Sequence, residues 1–349
     1  MTSESPRTEP ADALERIAYL LDRAREKSYR VRAYLRAAEA IRALPAEELA
    51  MRVRRGTLQE LESIGPKTAA IVTEVVETGT TAYLATLEET TGVTVGAGNE
   101  LLAALRGDLH VHSTWSDGGA EIEVMARAAR DLGHEYIALT DHSPRLTVAN
   151  GLDRDRLLRQ LDVVAALNEE LQAEHAAGTA PAFRVLTGIE VDILDDGTLD
   201  QDDDLLERLD VVVASVHSKL RMERREMTRR MITAIANPHV DVLGHCTGRI
   251  VVGRGRPESD FDPEVVFHAC ERFGTAVEIN SRPERLDPPR RLLTIAEELG
   301  CRFSIDTDAH APGQLEWQAY GADRAAECGV TPDRIVNALD ADDLLSWTR

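Results

Sequence analysis

From residue 107 onward the chain repeats one pattern seven times: a short apolar segment, a polar turn, then a longer stretch with helically spaced apolar residues. The short segments are Leu109–His112, Tyr136–Thr140, Arg184–Val191, Val211–His217, Asp241–His245, Ala276–Asn280 and Arg302–Asp306. Between them lie amphipathic stretches such as Glu121–Leu132, Arg154–Glu174, Arg224–Ile235, Pro263–Phe273 and Arg290–Leu299. Strands that alternate with helices predict a parallel sheet, because each parallel connection needs a crossover of about a dozen residues or more. Seven units are one short of the common eightfold α/β barrel. A distorted barrel is the first expectation, and an open doubly wound sheet is the alternative.

The first hundred residues lack this alternation. Apolar spacing is helical from Ala11 to Leu49 (Leu14, Ile17, Leu20, Leu21, then Val31, Tyr34, Leu35, Ala38, Ile41), with a break at Pro45. Thr57 to Thr78 reads as two short helices around Ser63-Ile64-Gly65-Pro66-Lys67, and the Thr- and Gly-rich run from Thr80 to Glu100 as a terminal helix, a linker or both. The expected organisation is therefore a disordered N-terminus over 1–12, a small all-α domain over 13–100 and an α/β domain over 107–349.

Charge follows the same division. Residues 1–106 hold 14 basic and 16 acidic side chains (net −2) and residues 107–349 hold 26 and 45 (net −19), which together give the −21 of the whole chain. An acidic surface repels polyphosphate at long range, so nucleic-acid contact falls to the near-neutral first part or to metal bound in the second. Arginines cluster in that first part (Arg23, Arg25, Arg30, Arg32, Arg36, with Lys27), either as a solvated helix face or as a nucleic-acid surface. No apolar run approaches the ~18 residues of a membrane span. Met1 to Asp12 lacks the charged head and apolar stretch of a secretory leader, and the four cysteines form no C-x-x-C pair. A reducing, cytoplasmic setting is the expectation.

Six of the ten histidines fall at the end of, or just after, a predicted strand: His110 and His112, His142, His217, His245 and His310. Asp117, Glu190 and Asp308 occupy equivalent places. The C-terminal ends of parallel barrel strands open on one face, where active sites are built, so nine groups far apart in sequence should converge. Imidazole and carboxylate ligands without thiolates suit Zn, Mn or Fe. A catalytic zinc takes about three protein ligands plus water, so nine imply two or three ions. Three divalent ions against three carboxylates leave the site near +3, which favours an anionic substrate. Hydrolysis of a phosphate ester by an ion-activated water fits such a site.

The stretches Asp108-Leu109-His110-Val111-His112-Ser113, Thr140-Asp141-His142-Ser143, Gly188-Ile189-Glu190-Val191-Asp192, Val216-His217-Ser218, Gly244-His245 and Asp308-Ala309-His310 resemble the motif series of the PHP (polymerase and histidinol phosphatase) family. Val148-Ala149-Asn150-Gly151-Leu152, Arg225-Glu226-Met227-Thr228-Arg229-Arg230 and Asn237-Pro238 are similar in particular to the C-terminal PHP domain of bacterial family X DNA polymerases. The resemblance implies a distorted seven-stranded barrel holding three metals. His110, His112, Glu190 and Asp308 would hold one ion. Glu190 would bridge to a second with His217 and His245, and Asp117, His142 and His310 would hold the third.

The first part is similar to the N-terminal helical domain of the same polymerases, with a helix-hairpin-helix at Leu61 to Val76 in which hairpin N–H groups grip a DNA phosphate. Ser63 stands where that family usually has the first hairpin glycine. Ile64, Gly65, Lys67, Arg30 and Arg32 are the candidate DNA contacts. Fewer than 30 residues separate Thr78 from Gly107, where the full-length relatives carry fingers and palm, so no polymerase activity is expected. The position of the lyase lysine of related enzymes is Ile71.

Arg249, Arg285, Lys219, Arg282 and Asn280 are candidates to hold a phosphate at the mouth. Asp141, Asp192 and Asp306 are candidates to orient the ligands from behind. Two substrate classes remain: 3′ ends of DNA, single-stranded or gapped, in a 3′→5′ exonuclease or repair role, and a small phosphorylated metabolite such as histidinol phosphate. The site counts against a third reading, a DNA-binding or scaffolding module without catalysis, because no ligand is missing.

Overall fold

The computed structural model describes residues 8–348. The chain divides into two compact units, one ending at Val93 and one beginning at Thr94.

The N-terminal unit has five helices: α1 (Pro10–Arg23), α2 (Ser28–Arg42), α3 (Ala46–Arg55), α4 (Pro66–Thr78) and α5 (Ala82–Thr90). Proline opens α1 and α4, where a missing N–H costs nothing, and left-handed Gly56 and Gly79 close α3 and α4. Leu14, Ile17, Leu21, Tyr34, Ile41, Leu58, Ile64, Ile71, Val72 and Leu87 share its core. The disorder expected through residue 12 is corrected at Pro10–Asp12, which form the first turn of α1; residues 1–7 lie outside the described residues. The first of the two helices expected around the hairpin is only a 3-10 turn, Leu58–Glu60.

The C-terminal unit opens with α6 (Asn99–Ala104), earlier than the expected start at 107, because Leu101 is buried in the core of this unit. Seven parallel strands follow: β1 (Gly107–Val111), β2 (Tyr136–Leu139), β3 (Arg184–Asp192), β4 (Val211–Ser215), β5 (Val242–Leu243), β6 (Ala276–Asn280) and β7 (Phe303–Asp306). They lie in sequence order and are joined by α7 (Ile122–Asp131), α8 (Arg154–Ala176), α9 (Asp203–Leu206), α10 (Arg224–Ile235), α11 (Pro263–Phe273) and α12 (Arg290–Glu298); α13 (Gln318–Glu327) and α14 (Ala341–Trp347) end the chain. This is a nearly closed seven-stranded barrel, and the open doubly wound alternative is set aside. Strand residues are almost entirely buried, as expected where helices cover one face and side chains fill the other.

The joint between β1 and β7 is made largely by side chains. Leu109 N–H donates to Asp306 Oδ1 at 2.8 Å, and Thr307 N–H and Oγ1–H donate to Asp108. Asn337 Nδ2 donates to the carbonyls of Gly107 (2.9 Å) and Ile305 (2.8 Å), while its Oδ1 accepts from Ile305 N–H. Gln318 Nε2 reaches the same two carbonyls. Among the described residues, no helix is long and apolar enough to cross a membrane.

Candidate metal centre

Six of the seven strands, all but β6, carry the nine candidate ligands at their ends or in the loops that follow, and these gather at one end of the barrel. Glu190 on β3 is the hub. Its Oε2 lies 3.3 Å from His110 Nε2, 3.6 Å from His112 Nε2 and 2.8 Å from His142 Nδ1. Its Oε1 lies 2.8 Å from His245 Nε2 and 3.2 Å from His217 Nε2. Asp308 Oδ1 stands 3.4 Å from His112 Nε2, and Asp117 Oδ1 stands 3.5 Å and 3.3 Å from the Nε2 atoms of His142 and His310. Asp308 adopts a left-handed backbone (φ 53), a conformation costly for a non-glycine residue. Gly244, before His245, leaves no room for a side chain: a Cβ there would sit 2.2 Å from Ser215 Oγ.

Their potential ligand atoms form four overlapping clusters, each within 4.8 Å: His112/Asp117/His142/His310, His110/His112/Asp308, His110/Glu190/His245 and His142/Glu190/His217. All nine expected residues fall in them. His110 Nε2, His112 Nε2 and Glu190 Oε2 are shut off from solvent yet make no hydrogen bond. Buried polar atoms are normally satisfied, so three orphans converging on one point fit a cation that would complete them.

The electrostatics point the same way. Burial opposes the Glu190 carboxylate, but His217 and His142 overcome it and hold its pKa well below the usual range. Burial likewise opposes Asp308, which Arg282 and Arg285 keep ionised. His217 is raised to about 9 despite burial, through Glu190 and Asp192. His112 is depressed by burial and by the neighbouring His310 and His142. Negative charge is thus held at Glu190 and Asp308 in a ring of imidazoles.

The residues behind the ligands sort differently from the sequence expectation. Asp192 takes its expected place: Oδ1 lies 3.2 Å from His217 Nδ1 and accepts from His217 N–H. Asp141 touches no imidazole. It accepts from Ser113 N–H and Oγ, Ser116 Oγ and Gln160 Nε2, so it braces the loop that carries Asp117. Asp306 does not support Asp308; it belongs to the β1–β7 joint, where burial and neighbouring Asp108 raise its pKa. Sequence reasoning missed Glu278, fully buried on β6, whose Oε1 lies 2.5 Å from His110 Nδ1 and whose Oε2 accepts from His245 N–H. The available signal was a carboxylate inside the apolar strand Ala276-Val277-Glu278-Ile279-Asn280.

The phosphate candidates also divide. Arg282 Nη1 donates to Asp308 O (3.1 Å) and reaches His310 Nδ1 (3.0 Å), and Arg285 Nε pairs with Asp308 Oδ2 at 3.1 Å. Asn280 Nδ2 lies 3.3 Å from Asp308 Oδ2. Arg249 is committed elsewhere: it holds the carbonyls of Arg285 and Leu286 and pairs with Glu258. Lys219 turns to Asp195 at 2.6 Å. Cys246 is a buried thiol beside Asp287.

In the N-terminal unit, the Ile64 side chain lies in the core and Gly65 N–H donates to Thr68 Oγ1 at 2.9 Å. Lys67 Nζ sits 3.9 Å over the Tyr83 ring. Arg30 pairs with Glu26, while Arg32 is exposed. Ser63 takes up the left-handed conformation (φ 68) that a hairpin glycine would supply.

Residues 108–281 match the PHP domain and residues 5–81 a helix-hairpin-helix domain. The chain is 40% identical over 248 residues to the DNA polymerase/3′-5′ exonuclease PolX of Bacillus subtilis, covering 71% of this chain and 42% of that protein. It is 30% identical over 244 residues to a probable phosphatase of Thermoanaerobacter, covering 66% of this chain and 89% of that protein. The histidinol phosphate phosphatase of Lactococcus lactis, solved with zinc, L-histidinol and phosphate, aligns with a TM-score of 0.46 at 19% identity over 65% of this chain and 94% of that one. The chain spans less than half the length of the polymerase relative. With nine side chains that could ligate metal gathered at one mouth of a seven-stranded barrel, and a relative matched along nearly its full length, this chain belongs to the PHP domain family.

Proposed function

We propose that this chain is a metal-dependent phosphoesterase that hydrolyses phosphodiester bonds at DNA 3′ ends. The observation that carries the reading is one chain holding both a helix-hairpin-helix match and nine clustered side chains able to ligate metal. Bound divalent ions, two or three by the ligand count, would supply Lewis acidity at a phosphoryl oxygen and lower the pKa of a nearby water.

The protein's own residues do the positioning. Glu190 presents one oxygen to His217 and His245 and the other to His110, His112 and His142, so a single carboxylate spans two ligand clusters. Asp192 and Glu278 hold the Nδ1 edges of His217 and His110, turning each Nε2 toward Glu190. Arg282 and Arg285 lie against Asp308 at the mouth, where their donors can take phosphoryl oxygens. Arg32 and Lys67 remain the N-terminal candidates for phosphate contact.

The second reading, a small phosphomonoester such as histidinol phosphate, is favoured by the −19 charge of residues 107–349, which repels a polyanion. Incubation with Mn²⁺ and a 3′-labelled single strand, in parallel with a panel of phosphomonoesters, separates the two. Release of mononucleotides supports the first reading; monoester turnover without nucleotide release rejects it. Glu190→Gln should lower either activity by at least about 100-fold and reduce bound metal.

A further inference from the structure

The C-terminal unit is strongly acidic, yet Arg221 to Arg230 contains five arginines and two glutamates. Two of the five are structurally committed. Arg230 is buried and donates to the carbonyls of Ile193 and Ser218. Arg224 pairs with Asp262 at 3.4 Å and Asp260 at 3.7 Å. Arg225 and Arg229 are exposed, and neither side chain has a hydrogen-bond or ion-pair partner among the described residues. With Thr228, Thr233 and Val265 they line a groove of about 420 Å³ between α10 and α11, whose two carboxylates are engaged, Glu223 in capping α10 and Asp262 in pairing with Arg224.

The position of this groove links it to the metal centre. In a parallel barrel, helix N-termini lie at the face where the strands end. α10 begins at Arg224, seven residues after His217, so the groove leads away from the rim of the ligand cluster. Arg225 and Arg229 are one turn apart, roughly 5–6 Å between Cβ atoms, which lets two guanidinium groups hold two phosphates of one backbone. A metabolite-sized monoester, seated at the ions, has no use for cations outside the mouth. A strand with its 3′ end at the ions must leave across the rim and needs charge there to offset the acidic surface.

We propose that this groove carries the upstream phosphates of a single DNA strand whose 3′ end lies at the metal centre. The inference rests on the DNA reading above and specifies the path of the strand.

The test compares wild type with R225Q/R229Q in the full chain. Hydrolysis of a labelled 20-mer, a trinucleotide and p-nitrophenyl phosphate is followed with Mn²⁺ from 25 to 200 mM NaCl, and 20-mer binding by fluorescence anisotropy. The expected result is a KM for the 20-mer raised about tenfold. Its salt dependence should become shallower by about 1.4, two contacts at ~0.7 each for single strands, with trinucleotide and p-nitrophenyl phosphate turnover unchanged. An unchanged 20-mer KM, or an equal loss on all three substrates, overturns the proposal. If wild type degrades no DNA, the exonuclease reading fails separately, and anisotropy decides the groove: weaker 20-mer binding by the variant supports it, and equal binding overturns it.

Discussion

Glu278 Oε1 lies 2.5 Å from His110 Nδ1, and the other oxygen of the same carboxylate accepts the backbone N–H of His245. One buried acid on β6 therefore fixes the His110 side chain from β1 and the backbone that carries His245 after β5. Glu278→Gln keeps the volume but loses the acceptor strength toward His110. Metal affinity, measured by titration of the apoprotein, should fall by about 10–100-fold, with the far-ultraviolet circular dichroism unchanged. Unaltered affinity would show that Glu278 does not orient His110.

Asn337 reinforces the β1–β7 joint from a fully buried side chain, bonding Gly107 O, Ile305 O and Ile305 N–H beside the backbone bridge of Val111 with Ala309. Asn337→Ala leaves Gly107 O without its Asn337 donor and Ile305 N–H without its acceptor. Denaturant unfolding should show a loss of about 3 kcal/mol. A loss under about 1 kcal/mol would mean that the remaining bonds of the joint close the barrel without Asn337.

His134, between α7 and β2, has its Nδ1 buried without a hydrogen-bond partner, and burial lowers its pKa to about 4. The unfolded chain binds a proton near pH 6.5 that the folded protein refuses until about pH 4. Stability from the neutral ring is thus present above pH 6.5 and is lost as pH falls toward 4. Relative to His134→Gln, the wild-type Tm should fall progressively between pH 7 and pH 4.5. A Tm difference independent of pH would refute the assignment.

Asp323 on α13 accepts the N–H groups of Gly96 and Gly98, each at 2.8 Å to Oδ1. Asp323→Ala should release this stretch at a local cost of roughly 1–2 kcal/mol. Faster hydrogen exchange at the two glycine amides and new proteolytic cleavage between Thr94 and Gly98 would report it.

The barrel and the gathering of ionisable side chains at its mouth were legible in the sequence because both leave periodic traces. Alternation of strand and helix marks the sheet, and a histidine or carboxylate recurring at strand ends marks the mouth. What was illegible depends on contacts across the ring. Asp306 reads the same on paper whether it supports Asp308 or joins β1, and only the twist that brings β7 beside Gly107–Val111 decides. Arg249 and Arg285 are equally cationic in sequence, yet one grips a loop and the other meets Asp308. Glu278 was hidden for the same reason, since nothing local says which way a strand residue faces.

Because Asn337 and Gln318 follow β7 in the chain yet bond to Gly107 on β1, closure of the ring draws on side chains from outside all seven strands. His110 and Asp308 flank the joint, so a loosening there would reach the clustered side chains at the mouth.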